Sequence, residues 1–180
     1  IFNISSISVL DTDILKFIAN EIKSIFDIFS LLVLFVNLYV IFSLDIIAII
    51  GFILAIFIHS IFKNLTTNLE PSYIFKRPDG AMNCGLFNTG GLVDKQSGFP
   101  SGHMSSISFV MLYLLLKTKN LTFSNFMLYN IPILLVAIGR YMKGCHTLIQ
   151  ILAGYLLGGL LAYYLYPKSK QIINLLTKVC

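Results

Sequence analysis

The feature that most constrains this chain is its succession of long apolar runs. They cover roughly residues 25–43, 46–62, 103–116, 124–140 and 147–166, with short polar breaks between most of them. A helix needs about 20 apolar residues to cross a bilayer. In lipid every backbone N–H and C=O must be bonded within the protein, which leaves helices as the economical solution for runs of this length. Composition agrees: 57% of the 180 residues are hydrophobic and only 12% are charged, against about 25% charged in soluble domains. The expected fold is an all-α, polytopic membrane helix bundle of about five spans. Tyr113, Tyr141, Tyr163, Tyr164 and Tyr166 fall at run ends, where interfacial anchoring suits them. The formal charge of +5 forms no basic stripe clear of the apolar runs. That argues against a nucleic-acid partner and for charges that set topology and meet lipid phosphates.

Around these runs the chain divides into three. Residues 1–24 carry Ile14, Phe17, Ile18 and Ile22 at helical spacing among Asp11, Asp13, Lys16, Glu21 and Lys23. This predicts an amphipathic surface helix from about Asp13. Residues 25–167 form the membrane domain, and residues 168–180 a basic tail, with Pro167 expected to end the fifth span. Pro132 falls inside the fourth span, and Gly154 and Gly158 make a small-residue face on the fifth. The longest polar segment, residues 63–102, is the expected active-site loop, because a loop of that length inside a compact domain is usually functional.

Five spans bring that loop and the 141–146 turn to one face. Lys117, Lys119, Lys168, Lys170 and Lys178 lie on the other, with Asp45 their one acidic companion. The excess of lysine in short loops places the second face in the cytoplasm and the polar loop outside or in a lumen. Two sequons, at Asn3 and Asn64, fall on the loop's face, and a third at Asn120 does not.

Four potentially chemical residues converge on the loop's face although far apart in sequence: Arg77, His103, Arg140 and His146. Guanidinium forks suit bidentate phosphate binding, and two imidazoles suit a nucleophile and a general acid. Pro100-Ser101-Gly102-His103 opens the third span. Ser101 is placed to cap that helix, whose free N–H groups form an anion site, and Gly102 allows close approach to its backbone. His59 lies in an apolar context inside the second span and reads as a packed or hydrogen-bonded residue. Cys84 and Cys145 share the loop's face, either as a disulfide in an oxidising compartment or as free thiols.

These residues resemble the phosphatidic acid phosphatase type 2 superfamily, which shares its site with vanadium haloperoxidases and glucose-6-phosphatase. Its three motifs are Lys, six residues, Arg-Pro; then Pro-Ser-Gly-His; then Ser-Arg, five residues, His, three residues, Asp. Arg77-Pro78 is similar to the end of the first, Pro100–His103 matches the second, and Arg140 with His146 follows the third, so that the resemblance covers about residues 46–165. The chain departs at three positions: Glu70 stands for the lysine, Gly139 for the serine and Gln150 for the aspartate. Lys63 and Lys76 are the nearby cations, neither at the family spacing.

The resemblance implies an integral membrane hydrolase of a lipid phosphate or pyrophosphate, needing no metal and no cofactor. His146 would attack phosphorus and form a phosphohistidine, and His103 would protonate the leaving oxygen. Arg77, Ser101, Gly102 and Arg140 would hold the phosphoryl group, with Pro100 and Gln150 in support. Its partners would be the lipid phosphate and the surrounding membrane lipids. The alternatives are a catalytically weak or inactive member that binds lipid phosphate, motivated by Glu70 and Gln150, and a small transporter component.

Overall fold

A computed structural model describes residue 21, residues 25–118 and residues 120–179. The expected amphipathic helix in 1–24, the Asn3 sequon and Lys119 lie outside the described residues. The described chain is all-helical: α1 (Ile28–Phe42), α2 (Ile46–Thr66), α3 (Ser72–Phe75), α4 (Gly102–Lys117), α5 (Phe123–Met142) and α6 (Leu148–Val179), with one 3-10 turn at Leu86–Asn88. All five apolar runs form helices. Three are long and apolar enough to cross a membrane, Ile46–Thr66, Phe123–Met142 and Leu148–Ser169, while α1 and α4 are shorter.

Helix α4 is the hub, packed against α1, α2, α5 and α6. Its residues Met104 to Val110 are buried in unbroken succession, as in a helix surrounded by protein on every side. Ser105, Ser106 and Ser108 are small enough to let neighbours approach. A side chain at Gly154 or Gly158 would run into the α4 backbone, so this glycine face of α6 is a seam for close packing. Below the site the core is Val33, Met104, Ile107, Ile133, Val136 and Ile151. A second cluster around Val40, Ala55, Phe109 and Tyr113 fills the other end. There Asp45 caps α2 by accepting from the Ala48 N–H at 3.1 Å and pairs with Lys117 at 2.7 Å.

Three expectations are corrected. Helix α6 does not stop at Pro167 but runs on to Val179. A proline deletes one ladder bond, and Ser169 Oγ donates back to the Tyr166 carbonyl at 2.7 Å, tying the helix beyond it. Residues 63–66 belong to α2 and not to the loop. Thr66 and Thr67 hydroxyls donate to the Phe62 and Lys63 carbonyls at 2.7 and 2.8 Å and finish the helix. Finally, the loop is not structureless. It folds back on itself through bridges between Lys76 and Ser97 and between Met82 and Leu92, with Gly80, Gly90 and Gly91 taking the positive φ its turns require.

Candidate active site

The loop, the start of α4 and the α5–α6 turn close over the bundle. A cavity of about 330 Å³ opens beneath them, lined at its polar end by His59, Lys63, Arg77, Gly102, His103 and His146. Further in it is mostly apolar, between Val33 of α1 and Phe52 and Ile56 of α2, with Asn37 and Ser106 as its polar side chains. Phe52, Ile56, His59 and Lys63 recur at three- and four-residue spacing, so one face of α2 forms this wall over about 16 Å.

His146 sits in the α5–α6 turn, buried, with its orientation set by Gln150 one helical turn on. The Gln150 amide nitrogen donates to the Ile74 and Lys76 carbonyls at 3.0 and 2.7 Å. With its nitrogen so placed, its oxygen faces His146 Nδ1 at 3.1 Å. An amide oxygen only accepts, so Nδ1 carries the hydrogen and Nε2 keeps its lone pair. Arg77 Nη1 approaches that Nε2 at 3.4 Å. Burial, and then the charges of Arg77, Arg140, Lys63 and His103, hold the imidazole well below its ordinary pKa.

Arg77 is delivered by the loop. Its N–H donates to the Gln96 carbonyl at 2.8 Å, and the Gly98 N–H to the Phe75 carbonyl at 2.8 Å. A Cβ at Gly98 would lie 2.5 Å from Gln150 Oε1 and 3.0 Å from Arg77 Cγ, so only glycine lets these segments meet. Arg140 is fully buried and is not among the residues lining the cavity. It donates to Ser30 Oγ at 3.2 Å and to the Cys84 carbonyl, and its Nε has no partner.

Ser101 occupies the N-cap position of α4, but its hydroxyl makes no cap bond. That hydroxyl is buried without any partner. The Ser101 N–H instead donates to the Gln150 carbonyl at 3.0 Å, and Pro100 precedes it in a cis peptide. Gly102 faces the His59 imidazole, whose Nε2 would lie 2.7 Å from a Cβ there. His59 is hydrogen-bonded as expected, its Nδ1 3.0 Å from the Ala55 carbonyl, but it also lines the cavity. The sequence reading missed this because spacing along α2 alone does not say which face meets α4.

The three departures have structural accounts. Glu70 is exposed and pairs with Lys76 at 2.8 Å, away from the cavity lining; that bond lowers its carboxyl pKa. Lys63, one of the two candidate replacements, lines the cavity, whereas Lys76 does not. At Gly139 a Cβ would lie 2.9 Å from the Phe26 carbonyl and 3.0 Å from Phe29 Cβ, so α1 occupies the space a serine would need. Gln150 supplies the acceptor of the missing aspartate without its charge. Cys84 and Cys145 are joined in a disulfide. Next to them a buried ion pair, Lys143 to Asp27 at 2.6 Å, ties the end of α5 to the start of α1.

The family model of the PAP2 superfamily matches residues 45–173, and the chain belongs to that superfamily. No curated protein and no solved structure matches it. The superfamily consists generally of phosphatases, and membership supports a phosphoester hydrolase acting on lipid-like phosphates.

Proposed function

We propose that the protein is an integral membrane phosphatase of lipid phosphates or pyrophosphates working through a phosphohistidine. The observation that carries this is the Gln150–His146 geometry, which leaves a Nε2 lone pair facing a cationic cavity. Nε2 attacks phosphorus as the bond to the leaving oxygen breaks, and His103 gives that oxygen its proton. Water then attacks the phosphohistidine, passes a proton to His103, and restores both imidazoles. Lys63, Arg77 and the N–H groups at the start of α4 hold the phosphoryl oxygens and offset charge in the transition state. The Ser101 hydroxyl, buried without a partner at the N-cap of α4, supports an anion as its missing partner.

The mostly apolar inner part of the cavity supports a lipid over a soluble phosphate ester, with the tail lying between α1 and α2. The disulfide supports an extracytoplasmic or lumenal site, since such bonds persist in oxidising compartments.

The test is phosphate release from a panel of lipid phosphates in detergent, with and without a chelator. Wild-type release, abolished by His146→Ala and accompanied by an acid-labile phosphoenzyme, is the expected result. Full release by His146→Ala overturns the mechanism, and inhibition by the chelator overturns its independence of metal.

A further inference from the structure

The chain has two arginines, Arg77 and Arg140. Arg77 Nη1 donates to the carbonyl of Cys145 at 3.0 Å. Arg140 Nη2 donates to the carbonyl of Cys84. These two carbonyls belong to the two halves of one disulfide, 61 residues apart in sequence. Each arginine is therefore gripped by a backbone oxygen whose position is set by the bridge.

We infer that the Cys84–Cys145 disulfide is a positioning element of the anion site, holding the Arg77 guanidinium in the cavity wall and the Arg140 guanidinium behind Cys84, which lines the cavity. Within the loop the neighbours of Cys84 are held, the Asn83 and Gly85 N–H groups donating to the Gly91 and Thr89 carbonyls at 2.8 Å each. These bonds stay inside the loop, and the apolar cluster around Cys84 is small: Ala81, Cys145 and Val93. The bridge fastens that loop to the turn that carries His146, one residue after Cys145. An arginine side chain loses much rotamer freedom when held. A site that holds Arg77 beforehand does not meet that cost when the anion arrives. The bridge thus reaches Arg77 through Cys145, Arg140 through Cys84, and His146 through the chain itself.

A dithiol would undo this arrangement. Reduction breaks the one S–S bond, converts both sulfurs to thiols and leaves the dithiol as its own disulfide. The covalent link between loop and turn is lost, and with it the constraint that fixes one carbonyl against the other.

The inference rests on the anion-site reading, and the test separates the two. The full chain in detergent is compared oxidised, reduced with dithiothreitol, and as Cys84→Ala/Cys145→Ala, which keeps an apolar side chain at both positions of the small cluster. The first readout is phenylglyoxal labelling of Arg77 and Arg140, followed by mass spectrometry. It needs neither substrate nor activity. The second is the kinetics of lipid phosphate release. The expected result is slow labelling of both arginines when oxidised and faster labelling of both when reduced or in the alanine pair. KM should rise about tenfold with a smaller change in kcat, in line with a weakened charge-assisted contact. Reoxidation should restore the wild type but not the alanine pair. A bridge serving stability alone would lower the melting temperature and leave labelling and KM unchanged in the folded protein at low temperature. That outcome, in either the reduced protein or the alanine pair, overturns the inference. Labelling that responds to reduction in a protein releasing no phosphate would overturn the proposed activity and leave this inference standing.

Discussion

Gln150 accepts from His146 Nδ1 at 3.1 Å while its own amide nitrogen is held by two carbonyls, Ile74 and Lys76. The position carries no charge, yet it sets the tautomer of the imidazole as a carboxylate would. It also joins three parts of the site, because the Ser101 N–H donates to the Gln150 carbonyl at 3.0 Å. The consequence runs against placing a carboxylate at this position. In Gln150→Glu a carboxylate oxygen would face the two carbonyls with no hydrogen to offer. Steady-state kinetics should show a lower kcat for Gln150→Glu, and for Gln150→Leu a loss on the order of 10²-fold, the lower end of what positioned acid–base groups contribute. Equal or higher kcat in both would remove Gln150 from the mechanism.

Lys63 and Lys76 should behave differently although both neighbour the loop. Lys63 lines the cavity, and Lys76 is committed to Glu70 outside it. A hydrogen bond to a charged group is worth about 1.5–3 kcal/mol, so Lys63→Met should lower kcat/KM by roughly 10- to 100-fold. Lys76→Met and Glu70→Lys should leave it within about twofold, as expected of a solvent-exposed pair. The comparison is read from kcat/KM at fixed pH across the three variants.

Restoring serine at position 139 should destabilise the protein. Its Cβ would lie 2.9 Å from the Phe26 carbonyl, a backbone atom that cannot rotate away. Overpacking of this kind costs about 1–3 kcal/mol. Gly139→Ser should therefore melt below wild type in the same detergent, and so should Gly139→Ala, which carries the same Cβ.

The pH dependence follows from His146. Its pKa is lowered by burial and then by Arg77, Arg140, Lys63 and His103. The nucleophile therefore stays neutral below the ordinary histidine value of about 6.5. The acid limb of kcat/KM should fall below that value, and Arg77→Gln, by removing a cation, should move it upward while lowering the rate. The stability contribution has the same sign. An unfolded His146 binds a proton at higher pH than the folded one, so this stability is present above about 6.5 and is lost as pH falls from there toward the folded value. Melting temperatures between pH 7 and 5 check the second part.

Asp27→Asn should cost more than an ordinary surface change. Its partner Lys143 is 5% exposed, and burial already pushes that ammonium down against the pull of the carboxylate. Removing one member of a buried pair costs about 3–5 kcal/mol. The double variant Asp27→Asn/Lys143→Met should recover much of the loss, which a thermal double-mutant cycle would measure.

The chain order of residues was enough to establish a helical membrane bundle, because apolar runs in lipid have few structural options. It was also enough to bring Arg77, His103 and His146 to one end, because each helix crossing reverses direction. What it could not reach were distances set by packing between helices. Lys63 and His59 join the cavity only because one particular face of α2 turns toward α4. Gly139 replaces serine because α1 lies across that position, a contact between residues more than 100 apart. Pro167 proved no barrier to a helix that continues on both sides of it. Gln150 shows the division most clearly. Its identity is legible as the loss of a carboxylate, but its function depends on two loop carbonyls that only the tertiary structure brings within reach of its amide nitrogen.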